Sequence, residues 1–238
     1  MTELVYQYDS YQRELEAVIV KAFSNKLVLD KTIFHPKSGG VDNDKGWIVY
    51  NGLETPVLNV YYDKDSGVLI HELEKEIDAS TGTKVWLRLD WNRRYRLMRL
   101  HTAAHILSAI MYRDYNALIT GGNISEDYGY DDYSMEVFDR EAFMKAVEKA
   151  NEVFKQALDV KIYWLPREEA LKIPGVVKLA AKMPPHVDRL RIVEIPGVDV
   201  QADGGPHVKN TSEIGEIVLL KIENKGKNKK RIYFTVQP

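Results

Sequence analysis

His101 and His105 stand four residues apart in Leu100-His101-Thr102-Ala103-Ala104-His105-Ile106-Leu107, and a third histidine closes the distant run Asp203-Gly204-Gly205-Pro206-His207. On a helix, side chains four apart share a face with Cβ atoms about 5 to 6 Å apart, so two imidazoles can reach one ion at about 2.0 to 2.1 Å. Asp203 and His207 can close such a site with a carboxylate oxygen and a third imidazole, on a turn whose two glycines allow close backbone approach. Two histidines on one helix are a weak signal alone; the downstream pair makes the metal reading the stronger one. A metalloprotease needs a glutamate directly after the first histidine, and Thr102 and Ala103 stand there instead. The pattern therefore points to metal-assisted hydrolysis of an ester or amide, since neutral imidazoles leave the ion its Lewis acidity and its power to acidify water.

The chain has 238 residues and no cysteine. No disulfide and no thiolate ligand is possible, so any metal is held by nitrogen and oxygen; zinc fits such a set, though less exclusively than a thiolate site. A content of 45% hydrophobic and 29% charged residues suits a packed globular protein rather than a disordered one. The net charge of -2 argues against indiscriminate coating of nucleic acid, DNA included. Two basic clusters stand out locally: Arg93, Arg94, Arg96 and Arg99 before the first histidine, and Lys225, Lys227, Lys229, Lys230 and Arg231 near the C-terminus. Each reads either as a solvated face or as a set of phosphate contacts. No apolar run approaches the roughly 20 residues of a membrane span, and no basic-then-apolar leader opens the chain, so a cytoplasmic protein with no membrane partner is expected.

The elements that must position these residues predict an α+β chain in two parts. Residues 1–90 form a small β-barrel domain, with strands at 16–23, 26–29, 47–50, 57–61 and 84–89 punctuated by Ser24-Asn25, Asn51-Gly52, Ser66-Gly67 and Thr81-Gly82. His35 and His71 fall among these strands as surface or structural residues. Residues 91–238 form the α+β metal-binding domain. Its histidines ride on a helix over 92–112 capped by Asp90, followed by an amphipathic helix over 141–158 with Phe143, Val147, Ala150, Phe154 and Ala157 as its core stripe. Strands at 161–164 and 190–195 flank a short helix over 166–171, and a hairpin over 217–224 and 231–236 turns at Lys225-Gly226-Lys227-Asn228. His186, beside Pro184-Pro185, is expected to be structural.

These motifs resemble the freestanding alanyl-tRNA editing proteins, relatives of the editing domain of alanyl-tRNA synthetase. The likeness covers nearly the whole chain: Asp90-Trp91-Asn92-Arg93-Arg94 leading to Leu97-Met98-Arg99, the histidine helix, Asp199-Val200-Gln201-Ala202 before the loop and Ile214-Gly215-Glu216-Ile217 after it. In the first half, Leu29-Asp30-Lys31-Thr32-Ile33-Phe34-His35-Pro36-Lys37-Ser38-Gly39-Gly40 resembles the family's glycine-rich barrel segment. Two departures matter. The family's loop Cys-Gly-Gly-Thr-His has Asp203 in place of cysteine, a hard carboxylate for a soft thiolate, and the usual Gly-Gly-Gly-Gln becomes Ser38-Gly39-Gly40-Val41, without the side-chain amide.

The resemblance implies a zinc-dependent aminoacyl-tRNA deacylase that removes serine, and possibly glycine, from the tRNA for alanine. Such an enzyme answers a physical need, because a pocket sized for alanine rejects glycine and serine only weakly. It also implies His101, His105, His207 and Asp203 as metal residues, with Asp203 either a fourth ligand or a proton acceptor just outside the ligand set. Gly204 and Gly205 are candidates for backbone oxyanion donors. Gly39, Gly40, Arg93, Arg94, Lys229 and Lys230 are candidates for tRNA contact. Thr120, in Ile119-Thr120-Gly121-Gly122, is the candidate for bonding the serine hydroxyl, where alanine would leave it unpaired at about 1 to 3 kcal/mol; the alternative is a threonine satisfying a turn. A monomer is expected, because the chain ends soon after the hairpin. The rival readings are editing of another misacylated tRNA such as Ser-tRNA(Thr), a tRNA-binding module without turnover, and a small-ester hydrolase.

Overall fold

The computed structural model describes residues 2–178 and 187–238, which leaves His186 outside the described residues. By their internal packing they form two compact units, Met1–Leu97 and Met98–Pro238.

In the first unit a short strand β1 (Glu3–Leu4) is followed by β2 (Glu14–Phe23), β3 (Lys26–Leu29), β4 (Lys31–Thr32), β5 (Gly46–Tyr50), β6 (Leu53–Tyr62), β7 (Leu69–Leu73) and β8 (Lys84–Leu89). Strands β2, β3, β7, β6, β5 and β8 close in that order into an antiparallel barrel, while β1 and β4 pair in parallel outside it. Ala17 and Ile19 on β2 and Val85, Leu87 and Leu89 on β8 turn inward at the two-residue period of a strand and meet Leu27, Leu29, Ile48 and Val60. Each large aliphatic side chain buried this way contributes about 1.5 to 3 kcal/mol. Strand β7 is absent from the sequence reading because Ile70 and His71 are both buried, so the alternation that marks a half-exposed strand is missing.

Both histidines of this unit are structural and neither lies at the surface. The Phe34 N–H donates to Thr32 Oγ1 at 3.0 Å, and the Thr32 hydroxyl is hydrogen-bonded to His71 Nε2 at 2.8 Å. Burial pushes the His71 ring down to about 4. His35 is closed under the edge of Tyr6.

The first arginines of the basic cluster, candidates for tRNA contact, are bonded within the fold. Arg94 is fully buried: Nε lies 3.0 and 3.1 Å from the two Asp44 carboxylate oxygens, Nη1 donates to the Ser10 carbonyl at 2.9 Å and Nη2 to the Ile33 carbonyl at 2.5 Å. Arg93 donates from Nε and Nη2 to the Asn43 carbonyl at 3.1 and 3.0 Å. A buried guanidinium must satisfy its donors internally, so these side chains are committed to barrel loops rather than to phosphate. The glycine turn is exposed: Gly39 and Gly40 have φ of 61° and 82°, and Ser38 and Val41 exchange both backbone hydrogen bonds across them. Positive φ at both centres of a two-residue turn is what favours glycine there.

Helix α1 (Trp91–Tyr115) begins at Asp90, whose carboxylate accepts the Arg93 N–H at 3.2 Å. Every residue from Leu100 to Met111 is buried, so this stretch is enclosed on all sides rather than striped. In the second unit follow β9 (Ile119–Ile124), β10 (Gly129–Tyr133), α2 (Arg140–Phe154), β11 (Lys161–Pro166), α3 (Arg167–Ala170), β12 (Arg189–Ile195), β13 (Asp199–Ala202), β14 (Glu216–Asn224) and β15 (Lys230–Gln237). They make a four-stranded sheet, β14-β15-β10-β9, and a three-stranded sheet, β11-β12-β13. Asp139 caps α2 through the Ala142 N–H, and Asn151 locks the helix to β14 with a reciprocal pair of bonds to Ile217. Helix α2 stops at Phe154, short of the expected Leu158. Strands β9 and β10 were not expected, since Gly121-Gly122 and Asp131-Asp132 are poor strand formers that tertiary pairing overrides.

The C-terminal hairpin forms as expected, but Lys230 is buried and donates to the Gly226 and Lys227 carbonyls at 2.7 and 3.0 Å. It closes its own turn and is unavailable to phosphate. Lys229 keeps an exposed side chain, paired with Asp132 at 2.9 Å. Among the described residues no helix is long and apolar enough to cross a membrane.

Candidate metal centre

Helix α1 carries His101 and His105 on one face, one turn apart, and the loop after β13 returns His207 to them. The rings crowd one point: centroids are 4.9 Å apart for His101 and His105, 4.2 Å for His101 and His207, and 4.5 Å for His105 and His207. Asp203 Oδ1 lies 3.2 Å from His207 Nε2, and its Oδ2 lies 3.7 Å from His101 Nε2. These four residues each offer one donor atom, all within 4.8 Å of one another, and could hold a metal ion.

Every ring has a hydrogen-bond partner at Nδ1, and His207 has a second one at Nε2. His101 Nδ1 faces the Pro206 carbonyl at 3.3 Å, which can only accept. His105 Nδ1 lies 3.1 Å from Asp199 Oδ2. His207 Nδ1 lies 3.1 Å from Thr102 Oγ1, whose own proton goes to the Met98 carbonyl at 2.9 Å. Partners that can only accept make Nδ1 a protonated nitrogen in His101 and His105, whose Nε2 atoms are left for the shared centre, while His207 is bonded at both nitrogens, Nδ1 to Thr102 and Nε2 to Asp203 Oδ1.

The protonation states agree with that use. Burial, reinforced by His101 and His105, holds His207 well below the usual histidine range. Burial raises Asp203, but the neighbouring His101 and His207 outweigh it and hold its carboxyl well below the carboxylate range. A neutral imidazole at His207 beside an ionised carboxylate at Asp203 suits the binding of a divalent cation. A second buried carboxyl, Asp131 on β10, feels His105 electrostatically and is pushed up to about 7 by burial.

The loop explains its glycine. A Cβ at Gly205 would stand 2.7 Å from His101 Cε1, so any side chain there displaces the first ligand candidate. The Gly205 N–H donates to Asp203 Oδ1 at 2.7 Å, which orients the carboxylate and removes this N–H from the oxyanion role expected of it. Arg191 on β12 donates Nη1 to the Asp203 and Gly205 carbonyls at 2.9 and 3.0 Å and fixes the turn from behind. Thr120 is exposed on β9 and donates to the Asp132 carbonyl at 3.2 Å.

Four supporting residues escaped the sequence reading: Thr102, Lys178, Arg191 and Asp199. Thr102 was visible only as the missing protease glutamate, and Asp199 only as a flank of the loop. Lys178 and Arg191 carry no local signal, because their roles depend on partners 21 and 14 positions away.

Residues 190–233 match the family model described as "Threonyl and Alanyl tRNA synthetase second additional domain", and residues 4–93 match that of "tRNA synthetases class II (A)". The chain is 50% identical over 238 residues to a Saccharolobus solfataricus protein named alanyl-tRNA editing protein AlaX-M, with all of both chains covered. It is 40% identical to the protein of that name from Methanosarcina barkeri, covering 99% of each. An alanine–tRNA ligase from Staphylothermus marinus is 35% identical over 93% of this chain and 24% of its own length.

Proposed function

The chain belongs to the family of freestanding alanyl-tRNA editing proteins, and from that premise we propose that it hydrolyses the aminoacyl ester of tRNA(Ala) wrongly charged with serine or glycine, at the centre formed by His101, His105, Asp203 and His207. One observation carries this reading: three buried imidazoles from two distant segments crowd one point with a carboxylate, their donor atoms all within 4.8 Å of one another.

Zinc is the resident ion in this reading, since three imidazole nitrogens and one carboxylate oxygen form a set it accepts. When bound, it supplies Lewis acidity that polarises an ester carbonyl and makes water a nucleophile near neutral pH. His101, His105 and His207 each present one Nε2. Asp203 takes the fourth donor position rather than a place outside the set, because its two oxygens face two of those nitrogens and its orientation is held by the Gly205 N–H. Arg191 keeps the turn from relaxing away from the helix. The net reaction adds water across the ester and returns free amino acid and uncharged tRNA.

Thr120 remains the candidate for recognising the serine hydroxyl; its own proton is used by Asp132, so it would act as an acceptor. With Arg93, Arg94 and Lys230 committed to the fold, the exposed Gly39-Gly40 turn and Lys229 are the surviving candidates for tRNA contact. The whole-length relatives favour the alanine system over editing of the tRNA for threonine.

The test is hydrolysis of Ser-tRNA(Ala) and Ala-tRNA(Ala), before and after stripping metal and restoring zinc. Loss of serine that disappears with the metal, returns with zinc and spares alanine is the expected result. TRNA binding without turnover of either ester, at full metal occupancy, overturns the reading in favour of a binding module.

A further inference from the structure

Lys178 is a buried lysine with all three of its protons used. Its Nζ donates to Asp199 Oδ1 at 2.5 Å, to the Gly175 carbonyl at 2.8 Å and to the Val200 carbonyl at 3.0 Å, and its side chain is 5% exposed. The other oxygen of the same carboxylate, Asp199 Oδ2, faces His105 Nδ1 at 3.1 Å, and the Asp199 side chain is fully buried. The two contacts use opposite ends of one carboxylate, so ammonium, carboxylate and imidazole form a continuous chain ending at the Nε2 that the centre requires.

A lysine costs several kcal/mol to bury and is kept only where its charge is needed or compensated. Here the compensation is Asp199, and Asp199 in turn has a second client. An ionised carboxylate can only accept from His105, whereas a neutral group could donate and select the opposite tautomer, with a proton on Nε2. The Lys178 backbone adds a further tie, because its carbonyl accepts the Ile119 N–H at 3.0 Å, at the start of the strand that carries Thr120.

We propose that Lys178 is a positioning residue of the editing centre: through Asp199 it holds His105 in the Nδ1–H tautomer and so sets the affinity of the centre for its ion. The proposal rests on the reading of His101, His105, Asp203 and His207 as the metal centre. Lys178 touches neither ion nor substrate, and acts only through the carboxylate.

The test compares the full-length protein with Lys178→Met, which keeps the length of the stem, and with Asp199→Asn, which keeps the shape of the acceptor but adds a donor. Two quantities are read: the dissociation constant for zinc by chelator competition, and the His105 tautomer by long-range nitrogen–proton correlation in the zinc-free protein. In Lys178→Met the zinc affinity is expected to fall about tenfold or more, as for loss of other partners that orient a ligand. In Asp199→Asn the tautomer is expected to switch to Nε2–H, with a larger loss of affinity. Should Lys178→Met fail to fold, Asp199→Asn and the wild-type tautomer decide the matter. Wild-type zinc affinity and an unchanged His105 tautomer in the folded variants overturn the relay while leaving the metal centre standing. Wild-type protein that binds no divalent ion overturns the centre itself and the relay with it.

Discussion

The hydroxyl of Thr102 lies 3.1 Å from Nδ1 of His207, joining residues 105 positions apart in the chain. It also donates to the Met98 carbonyl one turn back on the same helix, so its proton is spoken for and it can only accept from the histidine. The residue standing where a protease would keep its base is thus a support for the third imidazole. Thr102→Val preserves shape and removes the acceptor. The variant is expected to lose about 1 to 3 kcal/mol of stability from the unpaired Nδ1–H and about tenfold or more in zinc affinity. Thermal unfolding with and without zinc checks both; equal zinc stabilisation of variant and wild type would remove Thr102 from this role.

Asp203→Ala is expected to weaken zinc binding by more than the roughly 10- to 100-fold that an orienting partner is worth. Asp203→Cys places a thiolate at the same loop position and is expected to retain zinc while losing affinity for harder ions such as manganese. Competition between the two metals measures this directly. A cysteine variant with unaltered selectivity would show that residue 203 does not ligate.

Thr120→Val is expected to lower the ratio of seryl to alanyl ester hydrolysis, with kcat/KM on the seryl ester falling by about 1 to 3 kcal/mol in transition-state terms. An unchanged ratio takes Thr120 out of substrate recognition and leaves it as the backbone-bonded residue of β9.

Arg94→Met breaks a buried ion pair at one end and leaves Asp44 uncompensated. A loss of about 3 to 5 kcal/mol of stability is expected. Binding of tRNA by the remaining folded protein should keep its salt dependence, whereas a lost phosphate contact would reduce the slope of log K against log salt by about 1. A reduced slope would return Arg94 to the tRNA interface.

His71 gives the first unit a pH dependence of known sign. Burial lowers the folded ring to about 4 from the ordinary 6.5, so between these values the unfolded chain binds a proton that the folded chain does not. Stability is therefore full above about pH 6.5 and falls as the pH drops toward 4, by about 3 kcal/mol at most. Urea unfolding of wild type and His71→Gln across that range checks it: the glutamine variant should show a shallower acid slope, and parallel slopes would assign the loss to other groups.

The fold class and the cluster that could hold a metal ion were legible in the sequence because both are written in short-range spacing. A four-residue interval puts His101 and His105 on one helix face wherever that helix lies, and the Asp203–His207 run is compact enough to act as one ligand loop. The barrel was visible through strands that keep one face to solvent, and β7 was hidden because it does not.

Charge and polarity at single positions were decided only by the tertiary structure. Arg94 and Lys230 look in sequence like Lys229, yet they are buried and bonded to carbonyls and to Asp44 while Lys229 keeps its side chain exposed. Gly205 looks like an oxyanion donor until its N–H is found on Asp203. Thr102, Asp199 and Lys178 acquire roles only when the chain brings them to partners far away along it. Sequence by itself determined which groups could reach one ion, since helix geometry is local; how those rings and the carboxylate are held against one another was decided by burial and long-range hydrogen bonds, which no local pattern encodes.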